Sequence, residues 1–327
     1  MDRTKDLENK IIQKNFTENF LSLMPTFYEM ESSFLSGVYR RYGDLEGGNI
    51  VIFFARDCHL EIMRKREKDL NFDLSLDNFW ENHRNIFQSK KKIILVSQQT
   101  GLPKETTRRK IISLIKKKHL KKGEKNKLFW EPDTDLKESY VKIIDEEISS
   151  LSKFIFEQTR LLSLGLSISK IEREIKNNYS FYWYHFLNVQ LEYIKFWQDK
   201  LKDLEMLLIG VQVLILTLNS LRRNYSDLTQ FFNNQKNFKN LSQTNPDISA
   251  TSISDITGIP RATCIRKLDK FVRMKVLQKN SKTKRYSLIL DQTTFNPMLQ
   301  PEWMKHKISI LSDFSFIVIK GLVKKVL

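Results

Sequence analysis

The chain has 327 residues, 41% of them hydrophobic and 11% aromatic, enough to bury the cores of two domains. Its two cysteines, Cys58 and Cys264, exclude a disulfide scaffold and a cysteine-rich zinc site, and make a reducing cytoplasm the expected compartment. A formal net charge of +17 fits either a solvated basic surface or a polyanionic partner, so the placement of the charge has to decide.

With 10 glycines and 7 prolines, many stretches run long without either, which favours helices over strands and turns. The first residues, MDRTKDLENKIIQKNF, are charged and lack the continuous apolar core of a signal peptide. A long helical region is expected over residues 20–65, with Gly47-Gly48 as an isolated pair inside it and Cys58 and His59 as partly buried helix residues. A shorter helix follows at 77–89. Apolar pattern gives way to charge around 163–178, in KIEREIKNN, which marks the expected boundary between domains. A second long helical region covers 168–223, and a weaker short helix lies near 228–241. Within the second region, the aromatic run from Phe181 to Phe186 reads as packing surface. Residues 206–218 are almost continuously apolar, but at about a dozen residues, with Gln212 among them, they fall short of a membrane span and read as a buried core helix.

The chain repeats itself. Residues 96–129, VSQQTGLPKETTRRKIISLIKKKHLKKGEKNKLF, align without a gap on residues 253–286, ISDITGIPRATCIRKLDKFVRMKVLQKNSKTKRY. They share about a dozen identities over roughly 34 positions, too many for chance. Beyond the block, ISSLSKFIF from Ile148 matches ISILSDFSF from Ile308, and Asp44-Leu45-Glu46 echoes Asp203-Leu204-Glu205. The repeat is therefore roughly 160 residues long, a duplicated domain and not a solenoid. Expected domains are 1–165 and 166–327, with functional cores at about 77–130 and 228–290.

Each block has a physical logic. A short helix ends at Gly101 or Gly258, where a left-handed residue is needed. Leu102 and Ile259 plug the angle to the next helix, and Pro103 and Pro260 start it. Thr107, Ile111, Leu114 and Ile115, matched by Cys264, Leu268, Phe271 and Val272, form its core face. Its exposed positions carry Lys104, Thr106, Arg108 and Arg109 in one copy and Arg261, Thr263 and Arg266 in the other. A Lys-rich turn and an aromatic-bearing strand follow, the pattern of a β-hairpin wing.

GLPKETTRRK and GIPRATCIRK resemble the helix-turn-helix of IclR-like regulators, and the order of elements in each copy resembles MarR-like regulators, whose flanking helices build a dimer interface. The first resemblance covers roughly 40 residues per copy; the second is topological. No effector domain of the IclR-like kind is recognisable. These resemblances imply a mainly α protein with two tandem winged helix-turn-helix domains flanked by long helices and related as a pseudo-twofold duplicate. The implied partner is double-stranded DNA, read at two unlike half-sites about one helical turn apart, in a cytoplasmic, nucleoid-associated transcriptional regulator. The DNA-binding residues would be Lys104, Thr106, Arg108, Arg109, Lys125 and Lys127, with Arg261, Thr263, Arg266, Lys282, Lys284 and Arg285. Arg109 and Arg266 would pair with guanine, and the wing lysines would neutralise phosphates. A single chain would serve as its own pseudo-dimer, with further pairing of chains left open and no membrane partner.

No catalytic, cofactor-binding or metal site is expected. The histidines at 59, 83, 119, 185 and 306 lack partners at metal spacing, and there is no phosphate loop, nucleophile elbow or paired-carboxylate motif. Two other readings stay open: a plasmid or phage replication initiator, and a winged-helix scaffold for protein assembly.

Overall fold

The apolar-periodic stretches fold as helices, and the two halves of the chain lay them down in the same order. A computed structural model describes residues 7–89, 91–123, 127–225, 246–290 and 301–326. The fold is mainly helical. α1 (Asn9–Glu18) and α8 (Ile168–Asn177) are 10 residues each, and α2 (Phe20–Tyr42) and α9 (Tyr179–Leu201) are 23 each. α3 (Leu45–Lys68) and α10 (Leu204–Asn224) follow. α4 (Leu76–Asn82) comes next in the first half; its expected counterpart near 228–241 lies outside the described residues. Then α5 (Ile93–Thr100) corresponds to α11 (Ala250–Thr257), and α6 (Lys104–Lys116) to α12 (Arg261–Arg273). Each pair leads into an antiparallel hairpin, β1 (Lys121–Lys122) with β2 (Leu128–Phe129) and β3 (Leu277–Lys279) with β4 (Tyr286–Leu288). Long helices close both halves, α7 (Lys137–Leu161) and α13 (Pro301–Val326).

Four expectations are refined by the structure. The helical region at 20–65 is two helices, broken at Gly43 (φ 77°) and restarted by Asp44, whose carboxylate accepts from the Gly47 amide at 2.6 Å. The region at 168–223 is three, with breaks at Asn178 and at left-handed Lys202. KIEREIKNN, in the stretch where the domain boundary was expected, lies within α8, its charges spaced so that Ile171 and Ile175 share a buried stripe. The helix expected at 77–89 ends at Asn82, followed by a 3-10 turn at His83–Asn85 and extended chain. The extension puts Gln88 where its amide pairs with both backbone groups of Trp130, at 2.9 Å each.

The compact units are not the halves 1–165 and 166–327. One comprises Gly37–Ser152, Leu166–Leu204 and Ile317–Leu327; the other comprises Met1–Ser36, Lys153–Gly165 and Glu205–Phe316. Each unit thus joins one helix–helix–hairpin block to the first two helices of the opposite half.

In the first unit, α3 packs along α9. Gly48 makes the approach of α2 possible, since a Cβ there would lie 2.1 Å from Val38 Cγ1 and 3.0 Å from the Tyr42 ring. Cys58 and His59 are completely buried, more so than expected; the His59 ring stacks 4.7 Å from Phe79 and meets Tyr179 edge-on at 5.2 Å. The aromatic run on α9 divides by face: Tyr182, Trp183 and Phe186 are buried, and Phe181, Tyr184 and His185 are half-buried. Arg41 and Glu147 form a buried ion pair at 2.5 Å. In the second unit, Phe154 packs between Phe16 and Phe27, and the Gln212 amide donates to the Ser32 hydroxyl at 2.9 Å. Helix α10 is long and apolar enough to cross a membrane, and 72% of its apolar window is buried inside the protein.

Two outcomes follow from this packing. Gly48→Ala forces a methyl onto Val38 and is expected to cost about 1–3 kcal/mol of stability, read by denaturant unfolding. The second concerns acid. Burial, aided by His83 for His59 and by Lys117 and Arg41 for His119, lowers these imidazoles to about 3 and about 4. In the unfolded chain they titrate near 6.5, so the unfolded state takes up protons first as pH falls. The stability of the neutral rings is complete above pH 6.5 and is lost on acidification towards pH 4 and 3. Melting temperature should fall across that window, and less steeply in His59→Phe, which keeps the stack on Phe79; an unchanged slope would refute this origin.

Candidate nucleic-acid interface

The two blocks are built from matching local devices. α5 and α11 end in Thr100 and Thr257, whose hydroxyls bond back to Val96 and Ile253 carbonyls at 2.7 Å. Gly101 (φ 71°) and Gly258 (φ 76°) then turn the chain through the left-handed region. Leu102 and Ile259 are buried in the angle, and the hydroxyls of Ser97 and Ser254 hold their carbonyls at 2.6 and 2.7 Å. Pro103 and Pro260 sit one position earlier than expected, as N-caps with extended ψ, while their carbonyls accept the first helical bonds from Thr107 and Cys264. The core face of α6 is Thr107, Ile111 and Leu114, and that of α12 is Cys264, Leu268 and Phe271; Ile115 and Val272 are half-buried.

Both helices end at a left-handed lysine, Lys118 (φ 63°) or Lys275 (φ 57°). Buried Leu120 and Leu277 lead into the hairpins. Each hairpin gains a third arm. In the first block the Gln88 side chain supplies it; in the second the Ile248 backbone pairs with Tyr286 through two 2.9 Å bonds.

Of the expected contact residues, Lys104, Arg108 and Arg109 on α6 and Arg261 and Arg266 on α12 are exposed, and Thr106 and Thr263 are half-buried. Arg109 and Arg266 occupy equivalent positions and make no ion pair among the described residues. Arg108 is different. It forms an exposed ion pair with Glu105 at 2.8 Å, and its guanidinium holds that carboxyl below the usual carboxylate range. Arg261 donates to Thr251 Oγ1 at 3.0 Å. In the hairpin turns, Lys282 and Lys284 are exposed, and Lys125 lies outside the described residues. Lys127 leans on aromatic rings, 4.3 Å from Phe87 and 4.7 Å from Phe129. Arg285 is committed to Asp247, which it binds through Nε at 2.5 Å and through the backbone carbonyl at 2.9 Å. It ties the turn end of the hairpin to Asp247 instead of standing free.

Sequence reading missed Ile112, which is 55% exposed one turn beyond Arg108 and Arg109. It also missed a pair of internal ties. The Lys110 ammonium reaches Asp44 at 2.8 Å and Glu46 at 3.2 Å at the start of α3, and Lys267 reaches Glu205 at 3.3 Å at the start of α10. The echo of Asp-Leu-Glu was the signal for both. Although partial burial favours the neutral amine, Asp44 and Glu46 hold Lys110 above its ordinary range.

The outward faces therefore offer unpaired guanidinium groups and ammonium groups beside a hairpin, chemistry suited to phosphate and to the base edges of guanine. Among the described residues no group of three His, Cys, Asp or Glu side chains is placed to hold a metal ion. Comparison with protein-family models, with curated proteins and with solved structures finds no match.

The turn glycine can be tested directly. A Cβ at Gly101 would meet only ordinary contacts, the nearest being Lys195 Cγ at 3.6 Å. Gly101→Ala should therefore cost only the backbone strain of a left-handed alanine, about 1–2 kcal/mol. A larger loss in chemical unfolding would mean that the turn also lacks room.

Proposed function

We propose that this protein is a sequence-specific, double-stranded DNA-binding protein, a transcriptional regulator in which each block acts as a winged helix-turn-helix. The observation that carries the reading is the repeated presentation of one arginine. Arg109 and Arg266 stand at the same place on the second helix of both blocks, exposed, with a hairpin following each helix. On such a helix a guanidinium in the major groove pairs with guanine O6 and N7, and hairpin lysines meet the neighbouring phosphates. The net charge of +17 supplies the long-range attraction.

The faces around those arginines differ. α6 presents Glu105, Arg108, Arg109 and Ile112; α12 presents Ala262, Ile265, Arg266 and Asp269. Asp269 is engaged by Lys279 at 2.9 Å and by the Tyr286 hydroxyl at 2.9 Å, which hold its carboxyl below the usual range although burial pushes it up. One chain on this reading recognises two unlike half-sites, with an arginine–guanine contact common to both.

Selection from a random duplex pool by the purified protein at near-physiological salt tests this. Two unlike half-sites should be enriched. Arg109→Ala and Arg266→Ala should each relax one half only, at about 1–3 kcal/mol of lost discrimination. Lys284→Ala should leave the sequence preference intact and lower the salt slope of binding by about 1. Failure to bind any duplex at low salt would refute the reading.

A further inference from the structure

We propose that Lys110 and Lys267 are positioning residues that set how the arginine-bearing helices are presented. This rests on the reading that those helices contact DNA. Each lysine directly follows the exposed arginine, Arg109 or Arg266, so the two side chains leave the helix about 100° apart. The arginine points to solvent. The lysine is only 23% exposed in the first block and 13% in the second, and it ends on the acidic first turn of a long helix.

The first block shows how that anchor is built. Asp44 caps α3 through the Gly47 amide and accepts from the Lys110 ammonium with the same Oδ1 atom, at 2.6 and 2.8 Å. Glu46, in the first turn of the same helix, takes the ammonium from a second direction at 3.2 Å. The carboxylates would favour a helix N-terminus on electrostatic grounds alone; the lysine converts that local preference into a tie between elements. The second block repeats the tie with Lys267 on Glu205. The same ion pair at equivalent positions of both copies, in otherwise divergent surroundings, marks a shared requirement of the two helices and not an incidental surface contact.

A helix that rocks about its axis carries its arginine away from the bidentate geometry that guanine needs, while phosphate contacts, being less directional, survive. The ties therefore act on discrimination more than on overall affinity.

The experiment uses the full chain as Lys110→Met, Lys267→Met and the conservative Lys110→Arg. Two readouts are taken: duplex selection, and amide hydrogen exchange over residues 104–116 and 261–273. Lys110→Met should reduce base preference in one half-site by about tenfold, leaving the other half and low-salt affinity for random duplex within about twofold. Lys267→Met should do the converse, and Lys110→Arg should restore the wild-type preference. In exchange, each Met variant should lose protection in its own helix at an unchanged melting temperature. Unaltered selection together with unaltered exchange overturns the proposal. So does a loss spread equally over both half-sites, which is the signature of general destabilisation. If the wild-type chain enriches no sequence, the DNA reading fails, and the exchange arm alone then decides whether the ties hold these helices.

Discussion

The left-handed glycine between two short helices is the constraint on which each block depends. Gly101 and Gly258 set the direction in which the second helix leaves, and the residue after each is buried to keep it there. A chain turning this sharply exposes backbone carbonyls that helices normally satisfy internally. The serine hydroxyls of α5 and α11 bond the carbonyls of Leu102 and Ile259, and in the first block the Asn49 amide bonds the Thr100 carbonyl from α3 at 3.1 Å. With the turn satisfied, the second helix has one face committed to the core. The opposite face, with its cations, is left to solvent. The hairpin is fixed in turn, because Leu120 and Leu277 are anchored just beyond the left-handed lysines that end those helices.

A helix–helix–hairpin block of roughly 40 residues is too small to bury a self-sufficient core. Both blocks draw the missing apolar surface from helices, and the division of the chain into compact units shows where those helices come from. The block of the first half stands with α8 and α9 of the second, and the block of the second half with α1 and most of α2 of the first. Neither half holds a complete unit. A single chain length thus contains two bodies, each assembled from both halves, and within one of them an early helix stands with the late block. In the first unit α3 of the first half also packs along α9 of the second, with His59 and Tyr179 meeting between them.

Local chemistry was legible in the sequence wherever neighbours along the chain decide the outcome. The matched blocks, the turn glycines, the plugging residues and the buried stripes of α6 and α12 all follow from spacing and residue type. The i,i+3 pair of Glu105 and Arg108 was legible in the same way, though it was read as a free arginine. What escaped depends on distant partners. KIEREIKNN reads as a loss of apolar pattern but buries Ile171 and Ile175. Gln88 leaves the helical pattern because Trp130, far along the chain, needs its amide. Arg285 was counted among outward cations, and only the fold brings Asp247 to it. The exchange of helices between halves has no local signature, since a repeat looks the same whether each copy packs on itself or on its twin.

The comparison between copies separates two kinds of demand on one helix. At core positions the substitutions keep character: Ile111 becomes Leu268, Leu114 becomes Phe271, and Thr107 becomes Cys264, all buried. At three outward positions character is not kept: Glu105 becomes Ala262, Arg108 becomes Ile265, and Ile112 becomes Asp269. If solubility alone governed the outward face, like charges would be interchangeable and an exposed isoleucine would be a liability. The pattern instead holds the arginine, the threonine at 106 and 263 and the cation at 104 and 261, and changes the three positions between and beyond them. On the DNA-binding reading, this is what two half-sites that share a guanine and differ beside it require: Ile112 offers an apolar contact of the kind that suits a thymine methyl, where α12 carries Asp269 at the equivalent position and places Ile265 one turn earlier. On the same reading, the lysine ties beneath are alike in both copies because orientation is a common need, whereas the faces above them differ as two different half-sites would require.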